Sequence, residues 1–126
     1  MLATVRYGAE MSCLFCKIVA GDVPATVIHR TATTLAFRDV APTAPTHVLV
    51  IPVRHIEHAA ATGPEDAEVL QQMLAVAAEV AALDGITESG YRLVFNVGPD
   101  SGNSVAHLHL HVVGGHPMGW PPFPRR

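Results

Sequence analysis

Residues 106–113 read Ala106-His107-Leu108-His109-Leu110-His111-Val112-Val113, a strict alternation of histidine and apolar side chains. On an extended strand, every second side chain shares a face. The pattern predicts a strand over 105–113. His107, His109 and His111 would line one side, and Leu108, Leu110 and Val112 would turn into a core. Neighbouring rings on such a face stand about 6–7 Å apart. One or two histidines on a strand are ordinary surface residues, but three in register point to chemistry.

The loop just upstream, Asn96-Val97-Gly98-Pro99-Asp100-Ser101-Gly102-Asn103-Ser104, is rich in Gly, Ser and Asn. Loops of this composition are usually hairpin turns. Their glycines also let backbone N–H groups converge on an anion, and Ser and Asn add donors. Two chemistries fit the rings. They can ligate a metal, or one can attack phosphorus while its neighbours position it. An imidazole is neutral at pH 7 and attacks without prior deprotonation. The anion-binding character of the loop favours the second chemistry.

Farther out, Cys13–Ala20 predicts a short helix ended by Gly21-Asp22. Residues 26–30 and 34–39 predict strands rich in Val, Ile, Thr and Phe. A proline-bearing loop over 41–46 leads into His47–Ile51, a β-branched run stopped by Pro52. A helix is predicted from about Thr62 to Leu83. Thr62 would be its cap, Pro64 would lie in its first turn and Asp84-Gly85 would stop it. Val69, Met73, Val76 and Val80 recur along it at helical spacing. Residues 91–97 predict one more strand. The expected class is α+β with an antiparallel sheet.

The chain has 126 residues, 49% hydrophobic and 15% charged, enough for one domain with a real core. Aromatics are only 6%, so that core must be mainly aliphatic. A net charge of -3 argues against gripping nucleic acid through clustered Lys and Arg. No run approaches the roughly 20 apolar residues that span a bilayer. Residues 1–10 lack the apolar stretch of a signal peptide, so a cytoplasmic protein is expected. Residues 1–11 read as an extension, expected to be disordered, and 12–126 as one domain with a C-terminal tail. Cys13 and Cys16, spaced Cys-x-x-Cys, suit metal or redox work rather than a disulfide framework.

The segment GNSVAHLHLHVVGG (102–115) resembles the signature of the histidine triad (HIT) superfamily. The tail HPMGWPP (116–122) resembles its HINT branch, the histidine triad nucleotide-binding proteins. So do LFCKIVAGDVPA (14–25), LAFRDVAPTAPTHVLVIPVRHI (35–56) and YRLVFNVG (91–98). The resemblance implies a five-stranded antiparallel sheet with one long and one short helix, joined into a ten-stranded sheet in a homodimer. It implies binding of purine nucleoside monophosphates and hydrolysis of their phosphoramidates.

By the same resemblance, His109 is the nucleophile that forms a nucleotidyl-histidine intermediate. His107 and His111 hold its tautomer, and His47 is a fourth histidine of the site. Ser104 and Asn96 lie near the phosphate and leaving group, with Ser104 passing a proton to the departing amine. Gly102 and Asn103 belong to the phosphate loop, with Asn103 standing where many relatives have Gln. Asp39 accepts from both ribose hydroxyls, and Phe15, Ile18 and Val23 wall the purine slot. Cys13, Cys16, His55 and His107 match a structural zinc site of bacterial members, and catalysis requires no cofactor. His29 and His58 are expected at the surface. His116 is expected near the site through the tail, and Trp120 at the partner subunit's pocket.

Two other function classes also fit the sequence. One is a nucleotide-binding or protein-interaction module with little turnover. The other is a metal-dependent hydrolase with the three triad histidines as ligands. The second lacks a nearby general-base carboxylate, since Asp100 is the only acidic residue close in sequence.

Overall fold

The computed structural model describes residues 12–103 and 105–122. Five strands form one antiparallel sheet: β1 (Val27–Arg30), β2 (Thr34–Arg38), β3 (Thr46–Pro52), β4 (Tyr91–Phe95) and β5 (Leu110–Gly114). Their spatial order is β1-β2-β3-β5-β4. Helix α1 (Leu14–Ala20) lies on one face and α2 (Ala67–Leu83) on the other. The expected α+β class, five-stranded sheet, long helix and short helix are all present.

Burial on both faces explains the uninterrupted apolar run of β3. All seven of its residues are buried. Val48 and Val50 join Ala36, Leu110 and Val112 beneath Met73, Val76, Ala77 and Val80 of α2. Leu49 and Ile51 face the other way and pack with Leu35, Phe37 and Phe15 beneath α1. Helix α2 stops where expected. Gly85 takes a left-handed φ of 71°, which a side chain would resist, and the Ile86 N–H closes on the Ala81 carbonyl at 3.0 Å.

Three boundaries differ from the sequence-based expectation. Thr62 does not cap α2, because its hydroxyl donates to the Ala59 carbonyl at 2.8 Å and closes the preceding turn. Asp66 precedes α2 but makes no side-chain bond to it; its carboxylate reaches back across the short turn Pro64–Asp66 to accept the Gly63 N–H at 2.9 Å while pairing with Arg54. Strand β4 ends at Phe95 rather than Val97.

The third difference bears on the site. Strand β5 begins at Leu110, so of the three histidines only His111 lies in the ladder. Its partner β3 ends at Pro52, which has no N–H for a further rung. The chain before Leu110 instead bonds to the segment after β3, through the Leu108 N–H and the Ile56 carbonyl at 2.6 Å. The alternation of faces survives, since Leu108, Leu110 and Val112 all enter the core beneath α2.

A polar tie closes the end of α2 onto the sheet. Arg38 donates twice to Asp84, at 2.7 and 2.8 Å, and the Thr46 hydroxyl donates to the same carboxylate at 2.7 Å. The Arg38 guanidinium holds the Asp84 carboxyl below the usual carboxylate range. Asp84→Ala strands both donors and is expected to lower unfolding free energy by about 2 kcal/mol, read from the urea midpoint at constant slope.

Candidate functional site

The described part of the site is built on α1, the loop after β2, the segment before β5 that carries His109, and β5 itself. A cavity of about 390 Å³ is lined by Leu14, Phe15 and Ile18 from α1, by Val23, by Asp39 and Val40 after β2, and by His109 and His111. That volume is within the range of small-molecule sites. The His109 ring stands edge-on to Phe15 at 5.2 Å between centroids and is 9% exposed. His109 Nδ1 lies 2.6 Å from the backbone carbonyl of His107. A carbonyl only accepts, so Nδ1 carries the proton. In the neutral ring the lone pair is then on Nε2.

His107 faces elsewhere. Its ring is fully buried, and Nε2–H donates to the Pro52 carbonyl at 3.0 Å. Its Nδ1 lone pair meets Cys13 Sγ at 3.3 Å and Cys16 Sγ at 3.5 Å. His55 Nδ1 lies 3.3 Å from Cys16 Sγ. Cys13, Cys16, His55 and His107 are thus close enough to hold one metal ion. Cys13 is the N-cap of α1, and its sulfur also accepts the Cys16 N–H at 3.3 Å.

His111 takes a third direction. Its Nδ1 lies 2.9 Å from Nε2 of His47, which sits diagonally across on β3. Asn96 Nδ2 lies 3.4 Å from His111 Nε2. Asp39 places one carboxylate oxygen 3.4 Å from His47 Nε2 and uses the other to accept the Ala41 N–H at 2.8 Å. The three triad rings therefore do not converge on a common point. The reading of all three as ligands of one catalytic metal fails on this geometry. Asp39, His47 and His111 form a second close group. There the Thr43 N–H points at His47 Nδ1 from 3.1 Å and keeps the ring proton on Nε2, the nitrogen an ion would need.

A HIT domain family model matches residues 20–118. The chain belongs to the HIT family. A purine nucleoside phosphoramidase of Escherichia coli K12 is 39% identical over 106 residues, covering 84% of this chain and 89% of that one. An uncharacterised HIT-like protein of Synechococcus elongatus is 43% identical over 109 residues, covering 86% and 95%. The crystal structure of a HIT family hydrolase from Legionella pneumophila Philadelphia 1 superposes with a TM-score of 0.86 at 49% identity, covering 88% of this chain and 99% of that one.

Among the other residues singled out in this HIT domain, Phe15, Ile18, Val23, Asp39, His109 and His111 share the cavity, and His47 backs it. Gly102 and Asn103 do not line it. The Ser101 and Gly102 N–H groups bond within their own turn, to Gly98 and Pro99, so neither joins an anion-binding nest. Asn103 Oδ1 is buried without a hydrogen-bond partner. Ser104 and the 1–11 extension lie outside the described residues.

His116 is exposed, and its Nδ1 donates to the Pro117 carbonyl at 2.7 Å, so the single chain does not bring it to the site. Trp120 is 83% exposed, with the Arg92 guanidinium 5.9 Å from its ring centroid. His29 and His58 are half-buried rather than at the surface, and His29 pairs with Glu79 on α2. Sequence reasoning passed over Leu14, Val40 and Thr43. The first two are pocket walls by placement alone, and Thr43 acts through a backbone N–H that carries no sequence signature.

Burial, reinforced by His109 and His47, pushes the His111 imidazole down from 6.5 to about 4. Between those values the unfolded chain takes up a proton that the folded chain refuses, so stability falls as pH falls through that window. The melting temperature is expected to drop progressively from pH 6.5 to 4, and His111→Gln to flatten that slope. A His111→Gln profile parallel to wild type would show that His111 does not contribute.

Proposed function

We propose that the chain hydrolyses purine nucleoside phosphoramidates through a nucleotidyl-His109 intermediate. The observation that carries this reading is the His109 Nδ1–H bond to the His107 carbonyl at 2.6 Å, which leaves the Nε2 lone pair on the ring that lines the cavity. Nε2 attacks the α-phosphorus, the bond from phosphorus to the amine breaks, and the amine departs with a proton. Water then attacks the same phosphorus, the N–P bond breaks, and His109 is regenerated with release of the nucleoside monophosphate. Leu14, Phe15, Ile18 and Val23 offer an apolar slot for the base. Asp39 offers carboxylate oxygens to the two ribose hydroxyls. Likeness to a purine nucleoside phosphoramidase at 39% identity supports the same reading.

His109→Ala is expected to lower turnover of adenosine 5′-phosphoramidate by roughly 10⁴-fold while AMP affinity stays near wild type. Full activity in that variant would remove the mechanism. Trapping of a nucleotide adduct on His109 by rapid quench and mass spectrometry would separate an enzyme from a binding module.

Zinc fits the cysteine–histidine cluster. The sulfur–nitrogen separations of 3.3–3.5 Å match the edge of about 3.5 Å expected from Zn–S near 2.3 Å and Zn–N near 2.0–2.1 Å. The bond to Pro52 already leaves His107 Nδ1 as a lone pair. Cys13, Cys16, His55 and His107 would complete the coordination and leave no open position, so the ion's contribution is structural. It would tie α1 to the segment carrying His109. Protein purified without added metal or chelator is expected to hold about one zinc per chain by elemental analysis. Cys16→Ser is expected to lose the metal and melt earlier.

The proposal includes a homodimer. Strand β4 has one neighbour in the sheet, and its Leu93 is 39% exposed. Those features suit continuation into a ten-stranded sheet across a two-fold axis, with Trp120 reaching the partner's pocket.

A further inference from the structure

Thr43 lies in the loop between β2 and β3, is exposed, and does not line the cavity. Its backbone N–H donates to His47 Nδ1 at 3.1 Å, and its hydroxyl stands 3.3 Å from the same nitrogen. We propose that Thr43 is a positioning residue that fixes the tautomers of His47 and His111, so that His111 presents an N–H beside the bare Nε2 of His109. The proposal deepens the phosphoramidase reading and rests on it for the catalytic consequence, though not for the tautomers.

One chain of hydrogen bonds runs from Thr43 through His47 to His111. A backbone N–H only donates, so His47 Nδ1 must be the acceptor. A neutral imidazole has one proton, and in His47 it is then on Nε2. That N–H faces His111 Nδ1 at 2.9 Å, so His111 Nδ1 must be bare as well. His111 is neutral near pH 7 and its proton falls on Nε2. Asn96 Nδ2 stands 3.4 Å from that nitrogen, and because two donors cannot bond each other the tautomer requires the amide turned about its last bond, with Oδ1 facing the N–H.

Two adjacent rings of the cavity, 5.0 Å apart, then carry opposite functions. His109 Nε2 is a lone pair that can attack. His111 Nε2–H is a donor for a phosphoryl oxygen or the departing nitrogen. Without the Thr43 N–H, His47 is free to move its proton to Nδ1. His111 can then protonate Nδ1 toward His47 and lose its outward donor. Asp39 does not prevent this, since its oxygen near His47 Nε2 lies farther off, at 3.4 Å.

The test reads the tautomers directly. Long-range ¹H–¹⁵N spectra of histidine-labelled wild-type protein at pH 7 should show His47 and His111 with bare Nδ1 and protonated Nε2. A protonated Nδ1 on either ring overturns the proposal without any variant. Replacing the residue-43 amide by an ester, using the α-hydroxy analogue of threonine, removes the N–H and little else. The variant is expected to show mixed tautomers at both rings. It should lose roughly tenfold or more in kcat for adenosine 5′-phosphoramidate with little change in KM. Unchanged tautomers in the ester variant overturn the proposal. Wild-type protein inert toward the phosphoramidate would overturn the functional reading instead, because the spectra are read without substrate.

Discussion

A neutral imidazole has one proton for two nitrogens, and the partner of one nitrogen decides what the other can do. The architecture of this site depends on that constraint. The His107 carbonyl takes the proton side of His109, the Pro52 carbonyl takes that of His107, and the Thr43 amide does the opposite to His47. All three deciding groups belong to the backbone. They come from different parts of the chain, Pro52 at the end of β3, His107 in the segment before β5 and Thr43 in a loop, and none of them has a rotamer to leave.

Three near-identical residues thereby acquire different chemistries. His107 turns a lone pair toward two sulfurs, His109 turns one into the cavity, and His111 turns one back toward β3. Their separation begins just before Leu110, whose pairing with Val50 is the last rung between β3 and β5. A regular strand through all three would have stood the rings side by side. The irregular segment lets His107 sink to full burial while its carbonyl still reaches His109.

Helix α1 links the two clusters although it has only seven residues. Cys13 and Cys16 face the His107 ring, Phe15 stands edge-on to both His107 and His109, and Leu14 and Ile18 line the cavity. An isolated helix this short has no stability of its own in water. Its position depends on packing against Phe37, Leu49 and Ile51 and on its contacts with the cysteine–histidine group. Whatever strengthens that group therefore also steadies the wall of the cavity.

The sequence by itself determined the fold class, the two-faced β3 and the long helix with its stop at Gly85. Hydrophobic periodicity and turn chemistry are local, and here they agree with the global packing. It also set which side chains leave the core around His109, because alternation survives even where the ladder does not. The spacing of Cys13 and Cys16 pointed to metal or redox work by itself, but their grouping with His55 and His107 was legible only through resemblance, since nothing local ties Cys16 to either histidine. Only the tertiary structure decided the direction of each ring, the true start of β5, the bond of the Thr62 hydroxyl to the Ala59 carbonyl in place of a cap, and the contact of the Thr43 N–H with His47. Most of these depend on which backbone N–H or carbonyl comes within about 3 Å of a side chain, whether it is a near neighbour in the chain, as for His109, Thr62 and His47, or far away, as for His107. Backbone groups are the same at every position, so a sequence cannot mark which of them will be there.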